Sequence, residues 1–477
     1  MTLNPDMSLQ TKLLQLECHF TWSLKECDAD LTDLQNRLED DCIFYVGEET
    51  GTGRLLSFLA FTKYRQNLPE EALEDLKKAE DLVQKDNKKD CEKLLVVTYG
   101  DFAWLYYYMG DYSTSWIYIE KLEELKEQFP PSVLQAVVNA EKGWTFLKYS
   151  RKCYEKAKEC FRKALEEEPD DSEWNAGYAI ALYRIEWDVT SAEESQAVKQ
   201  LRRALELNPG DALIMVLLGL RLCVFKEMRE AEDLVEKALE ISPDNPYVTR
   251  YVAKFYRQSG SLEKSVALLK KALKQTPNSA FLHHQIATSY KMKKIHLCKM
   301  RNHDANRAEV EELLNLSIFH LEQAIRLKPS FIYAQMDLGL LYGEKKSIEE
   351  GEQLLQETLQ LARTKNEHLQ EVHRCYGDFL LYHKKSESLA MKHYMEGSKM
   401  QEDTREGKKC IFKLENLARR RISRNPGDGE AFGILGYVHQ TRDEKREAIE
   451  CYEKALLLDL ENEEYLSALC DLRLSLR

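Results

Sequence analysis

The chain is 477 residues long, too long for one compact core, and is 43% hydrophobic and 31% charged with only 20 Gly and 11 Pro. That balance excludes a strand-and-turn protein and a disordered one, and leaves amphipathic helices with one buried and one solvated face. The formal net charge of −13 excludes a protein that coats nucleic acid over its outer surface, but not a local basic pocket, because screening acts over about 8–10 Å.

From the N-terminus, residues 7–40 read as helices outside any repeat. Met1 to Gln10 has neither the basic start nor the apolar core of a secretion signal, and no run approaches the length of apolar chain that spans a bilayer. The stretch Gly47-Glu48-Glu49-Thr50-Gly51-Thr52-Gly53-Arg54 is the best phosphate-loop candidate. It lacks the lysine–hydroxyl pair that follows such loops, so it reads as a plain loop. Residues 53–84 and 96–128 read as helix pairs, broken at Asn67-Leu68-Pro69 and Met109-Gly110-Asp111.

Further along, a signature recurs: Ala, a branched apolar residue, then Pro. It stands at Ala164-Leu165…Pro169, Ala204-Leu205…Pro209, Ala238-Leu239…Pro243, Ala272-Leu273…Pro277 and Ala324-Ile325…Pro329, so successive prolines are 40, 34, 34 and 52 residues apart. A period near 34 is that of the tetratricopeptide helix–turn–helix, and the longer spacings mark insertions. The alanines are small so that the second helix of a pair can press on the first; the prolines stop that helix. Residues 333–364, 368–400 and 429–460 read as weaker copies, and 404–424 as a helix outside the pattern. The expected fold is all-α: about nine or ten pairs in a tetratricopeptide superhelix that encloses a central groove.

Chemistry is scarce. Twelve cysteines are scattered with no CxxC pair, which fits a reduced cytosolic compartment. His283-His284 are adjacent, so their rings diverge around a helix and cannot chelate one metal. No GxSxG or HExxH pattern occurs, and neither catalysis nor a resident metal is expected. The informative residues lie on first helices, which line the concave wall. Arg250, Lys254 and Arg257 fall at i, i+4 and i+7, with Tyr251, Val252, Phe255 and Tyr256 assigned to packing positions. His284 takes the register of Arg250 in the next repeat, with Gln285 beside it. Trp144 and Lys148 are i,i+4, and Glu173, Ile180 and Arg184 stand at i, i+7 and i+11. Five cations on one wall of an acidic protein repel unless an anion binds there, and interleaved aromatics suit a nucleotide. Basic runs at Lys291, Lys293, Lys294, Lys299 and Arg301, and from Lys408 to Arg424, stay open between a solvated face and an auxiliary backbone-contacting surface.

Cys18-His19-Phe20-Thr21-Trp22, Glu141-Lys142-Gly143-Trp144, Ala176-Gly177-Tyr178-Ala179-Ile180, Tyr183-Arg184, Arg250 to Arg257 and Leu282-His283-His284-Gln285 give the chain, over nearly its full length, a resemblance to the interferon-induced proteins with tetratricopeptide repeats. The resemblance implies a cytoplasmic antiviral effector of innate immunity. Its ligand would be single-stranded RNA with a 5′-triphosphate or a cap lacking ribose methylation, held in a basic tunnel so that translation is blocked. Related family members or translation initiation factors are implied as partners, and neither DNA nor a membrane is. By residue, the resemblance places Arg37, Lys148, Tyr154, Arg184, Arg250, Lys254, Arg257, His284 and Gln285 on phosphates and first nucleotides, and Trp144 and Ile180 on the wall where a cap guanine sits. It departs at Asp41, where RNA-binding relatives carry a glutamine, at Leu213 for a tyrosine, at Gly210-Asp211 for an Asp-Asn pair, and at Tyr45, which fills the cap pocket more than the usual aliphatic. A carboxylate at 41 opposes a triphosphate unless it is protonated or a divalent cation accompanies the RNA. Three subdomains are implied: 1–136, 137–335 with most of the pocket, and 336–477 with the basic helix. The rival reading is a scaffold that grips a peptide, relatives or translation factors in the same groove without tight RNA binding.

Overall fold

The computed structural model describes residues 5–25, 29–44, 49–85, 91–186, 188–299, 307–400, 404–460 and 462–475. These form twenty-four α-helices and no strand among the described residues. They fall into two compact units, Met1–Ser289 and Tyr290–Arg477.

In the first unit, helices pair as the period predicts. The pairs are Glu49–Arg65 with Pro69–Lys85, Leu95–Tyr108 with Tyr112–Gln128, Pro131–Tyr149 with Tyr154–Glu167, Ser172–Ile185 with Gln196–Leu207, Ala212–Val224 with Met228–Ile241, and Pro246–Gln258 with Leu262–Gln275. The signature has a local cause. Each proline stands just beyond the end of a second helix, and two residues after it comes the cap of the next helix: Asp171 accepts from the Trp174 amide, Asp211 from Ile214, and Asn245 from Tyr247 and Val248. One turn therefore ends one pair and starts another, each cap contributing about 0.5–2 kcal/mol. Ala164, Ala238 and Ala272 are fully buried, as their role as close-contact residues demands.

In the second unit, Ile332–Glu344 pairs with Ile348–Lys365, Leu369–Tyr382 with Glu387–Met400, and Gly429–Thr441 with Lys445–Leu458. Arg405–Arg424 stands between the last two pairs as a single helix. The extra residues before Pro329 lengthen the helices Ala280–Lys299 and Arg307–Leu327.

Two expectations need correction. Residues 7–40 are not helical throughout, since Pro5–Leu13 and Leu31–Phe44 flank an irregular segment. His19 anchors that segment. Its Nδ1 lies 2.6 Å from Asp101 Oδ2, its backbone N–H donates to Asp101 Oδ1, and its Nε2 lies 3.0 Å from Thr145 Oγ1. This explains why Cys-His-Phe-Thr-Trp has no helical period: it is a buried tie between two first helices. The other correction concerns the phosphate-loop candidate, whose second half is helical from Glu49 onward.

Phe161 sets how closely first helices approach. A methyl at Gly143 would lie 2.9 Å from Phe161 Cε2, and one at Gly177 would crowd Cζ more closely still. Gly143 precedes Trp144, so the same ring that seats these helices also meets Trp144 edge-on. Gly177→Ala is therefore expected to cost about 1–3 kcal/mol by overpacking, read as a lower urea midpoint. Gly210→Ala, with nothing nearer than Asn208 Oδ1 at 3.5 Å, should change it little.

Candidate nucleic-acid interface

First helices of successive pairs, together with Leu31–Phe44, supply the wall of a partly enclosed cavity of about 70 Å³ in the first unit. It is lined by Asp41, by Trp144, Leu147 and Lys148, by Ile180 and Arg184, by Leu213 and Leu217, and by Tyr247, Arg250 and Tyr251. The i, i+4 spacing of Trp144 and Lys148, and of Ile180 and Arg184, puts each pair on one helix face.

Four cations gather there or beside it, each held by an aromatic ring or a carbonyl. Arg184 donates to Leu147 O at 3.0 Å and to Tyr154 Oη at 2.9 Å, its guanidinium 5.0 Å from the Tyr154 ring centre. Arg250 stands over Tyr247, Tyr251 and Phe281, at 4.2, 5.0 and 5.3 Å. Lys254 Nζ reaches Tyr183 Oη at 3.4 Å, and Arg257 donates to Gln285 O at 3.4 Å. Burial lowers the affinity of Lys254 and Arg257 for their protons. Among the described residues none of these four pairs with a carboxylate.

Other cations nearby do. Arg221 pairs with Glu186 at 3.0 Å and Arg37 with Asp33 at 3.0 Å. Arg54 pairs with Glu141 at 3.7 Å and with Glu173. Burial pushes the Glu141 carboxyl up to about 8, against the pull of Arg54. Lys148 is the important case. Its Nζ lies 2.5 Å from Asp41 Oδ2, so it does not stand in the pocket as a free cation, and the expected set of five inward cations becomes four.

The remaining candidates take these places. Tyr154 carries Arg184, and Arg37 is exposed but donates to the Lys148 carbonyl at 3.2 Å. The Gln285 side chain lies 3.4 Å from His284 Nδ1. Trp144 meets Phe161 edge-on at 5.2 Å and has the Arg54 guanidinium 5.1 Å from its ring centre. Tyr45 lies outside the described residues. Arg301 lies outside the described residues, and most of the described cations of both basic runs pair with carboxylates. Lys291 pairs with Asp337, Lys293 with Glu309 and Lys294 with Glu344. On the Arg405–Arg424 helix, Lys409 pairs with Glu406, Lys413 with Asp378, Arg419 with Glu415, Arg420 and Arg424 with Glu387, and Arg421 with Asp428 and Glu430. That matching favours a solvated structural face there. Among the described residues no cluster of His, Cys, Asp or Glu is placed to hold a metal, and no helix is long and apolar enough to cross a membrane.

Tyr251 packs against the core, as its register predicts, and also lines the cavity, a second role that sequence reasoning missed. Burial alone would raise its phenol. The charges of Arg250, Arg184 and Lys254 overcome that and bring it down to about 8. The available signal was its position between Arg250 and Lys254. Because its native value lies below the ordinary value near 10, ionised Tyr251 stabilises the fold. That contribution is complete above pH about 10 and is lost as pH falls through about 8. A near-ultraviolet absorbance titration should show one phenol ionising near pH 8, absent in Tyr251→Phe, with the stability gap between the two proteins widening above that pH.

Tetratricopeptide-repeat models match residues 225–285, 195–246, 152–171 and 429–462. The chain is 38% identical to human protein IFIT1 homolog B, over 94% of this chain and 96% of that protein. It is 36% identical to the human antiviral innate immune response effector IFIT1, over 97% and 98%. Its structure superposes on the human IFIT1 dimer with m7Gppp-AAAA at a TM-score of 0.83 and 36% identity, covering 94% of this chain and 99% of that one. With PPP-AAAA bound, the human IFIT1 dimer gives 0.80 at 36% identity, over 94% and 99%.

Proposed function

Because the chain belongs to the family of interferon-induced proteins with tetratricopeptide repeats, we propose that it captures the 5′ end of single-stranded RNA, triphosphate or capped, in the cavity between Trp144 and Arg250. As an antiviral effector in the cytosol it would thereby withhold viral messages from translation. The observation that carries this reading is a set of four cations on one wall, Arg184 exposed and Arg250, Lys254 and Arg257 half-buried, that have no carboxylate partner among the described residues of a protein of net charge −13. Like charges gathered on one wall repel one another, so the arrangement favours an anion that neutralises several at once. A triphosphate or a cap's triphosphate bridge is such an anion.

Aromatic rings make the cations available. A carboxylate partner would have to be displaced by phosphate, whereas the face of Tyr154 or Tyr247 lends partial stabilisation with no full negative charge to displace. Trp144 offers a stacking surface with Ile180 beside it on the wall. No bond need be made or broken; occupancy of the RNA end is the activity. A divalent cation that travels with a triphosphate would relieve its repulsion from Asp41.

In gel-shift assays, 5′-triphosphate or capped RNA should bind more tightly than the same RNA with a 5′-hydroxyl. Four unmatched cations give a log–log salt slope near −3, at about −0.7 for each phosphate neutralised. Arg184→Glu or Arg250→Glu should abolish binding, since each sets a negative charge against phosphate. Trp144→Ala should weaken capped RNA by about 1–3 kcal/mol and spare the triphosphate. Equal binding of hydroxyl-ended RNA would remove the proposal.

A further inference from the structure

Three residues that line one cavity each carry a buried polar atom with no hydrogen-bond partner among the described residues: Asp41 Oδ1, Trp144 Nε1 and Arg250 Nε. Buried polar atoms are almost always satisfied, so three orphans on one wall describe what the ligand must supply. Two of them are donors, which phosphate oxygens can meet. The third is a carboxylate oxygen that only accepts.

A bare triphosphate serves that oxygen badly. Asp41 is 5% exposed, and its second oxygen holds Lys148 at 2.5 Å. A terminal phosphate that recruited Lys148 would leave a buried carboxylate with neither oxygen satisfied, beside further negative charge. Leaving Lys148 on Asp41 forgoes the cation instead. A capped end avoids both costs. Esterification at both ends of the triphosphate bridge removes the doubly ionisable terminal phosphate. Guanine also carries a ring N–H and an exocyclic amine on one edge, parallel donors that match a carboxylate. Trp144 lines the same cavity and supplies a face for the base.

We propose that Asp41 determines specificity in this site, selecting capped over triphosphate 5′ ends by accepting from the guanine edge with Oδ1 while keeping Lys148 from a terminal phosphate. The inference rests on the RNA-end reading above and names which end the pocket prefers.

The test measures wild type and Asp41→Asn with triphosphate, guanosine-capped and 5′-hydroxyl RNA of one sequence, each with magnesium and with a chelator. Wild type should prefer the capped end by about tenfold or more, the scale of one buried charged contact. Asp41→Asn should raise triphosphate affinity about tenfold without raising that of capped RNA, so that the preference collapses. A cap built on hypoxanthine, which lacks the exocyclic amine, should bind wild type more weakly than the guanine cap. The wild-type preference and the hypoxanthine comparison stand even if Asp41→Asn fails to fold. An Asp41→Asn ratio equal to wild type overturns the proposal, as does an unchanged affinity for the hypoxanthine cap. It is likewise overturned if magnesium alone brings triphosphate level with cap, for then Asp41 serves a cation. If neither protein distinguishes any phosphorylated end from hydroxyl RNA, the RNA-end reading itself has failed.

Discussion

The first unit is organised around an electrostatic constraint: Arg184, Arg250, Lys254 and Arg257 gather on one wall with, among the described residues, no carboxylates to neutralise them. At an effective dielectric near 20, two such charges separated by several ångströms repel by a few kcal/mol. The fold tolerates this because each group has a partner that carries no full charge: the rings of Tyr154, Tyr247, Tyr251 and Phe281, the carbonyls of Leu147 and Gln285, and the Tyr183 hydroxyl. Tyr251 registers the same field from the other side, as a buried phenol brought down to about 8 by the cations around it.

Carboxylates are plentiful in this chain, so their distribution is informative. They engage the cations that surround the cluster, as in Arg54 with Glu141 and Glu173, Arg221 with Glu186 and Arg37 with Asp33. In the second unit most cations of the Arg405–Arg424 helix pair with carboxylates, Arg420 and Arg424 sharing Glu387. The net charge of −13 and the basic pocket are therefore compatible, because carboxylates pair with neighbouring cations such as Arg54, Arg221 and Arg37 and, among the described residues, with none of the four in the cluster.

What could be read from the sequence follows from how local each determinant is. The repeat was legible because its parts lie within a few residues: Ala164 packs, Pro169 ends the helix, and Asp171 caps the next one. Arg250, Lys254 and Arg257 were legible as one face for the same reason. The Lys148–Asp41 pair spans 107 residues, and no periodicity joins its members, so Lys148 was counted as a free cation. The place of Tyr251 on the cavity wall was missed because helical register gave it only its packing role and no weight to the charges on either side. The Cys-His-Phe-Thr-Trp segment escaped because His19 acts through Asp101 and Thr145, 82 and 126 residues away.

Asp41 then stands out, as the one carboxylate among the described residues that line the cavity. Aromatic partners leave a cation available to an incoming anion, because a ring face competes weakly with phosphate. A carboxylate competes on equal terms. By holding Lys148, Asp41 divides the wall into a side where Arg250 is unmatched and a side where charge is balanced around Trp144. A ligand negative along its whole length suits only the first side. One that ends in a planar base with hydrogen-bond donors suits both, and the orphaned Asp41 Oδ1 marks where those donors would be met.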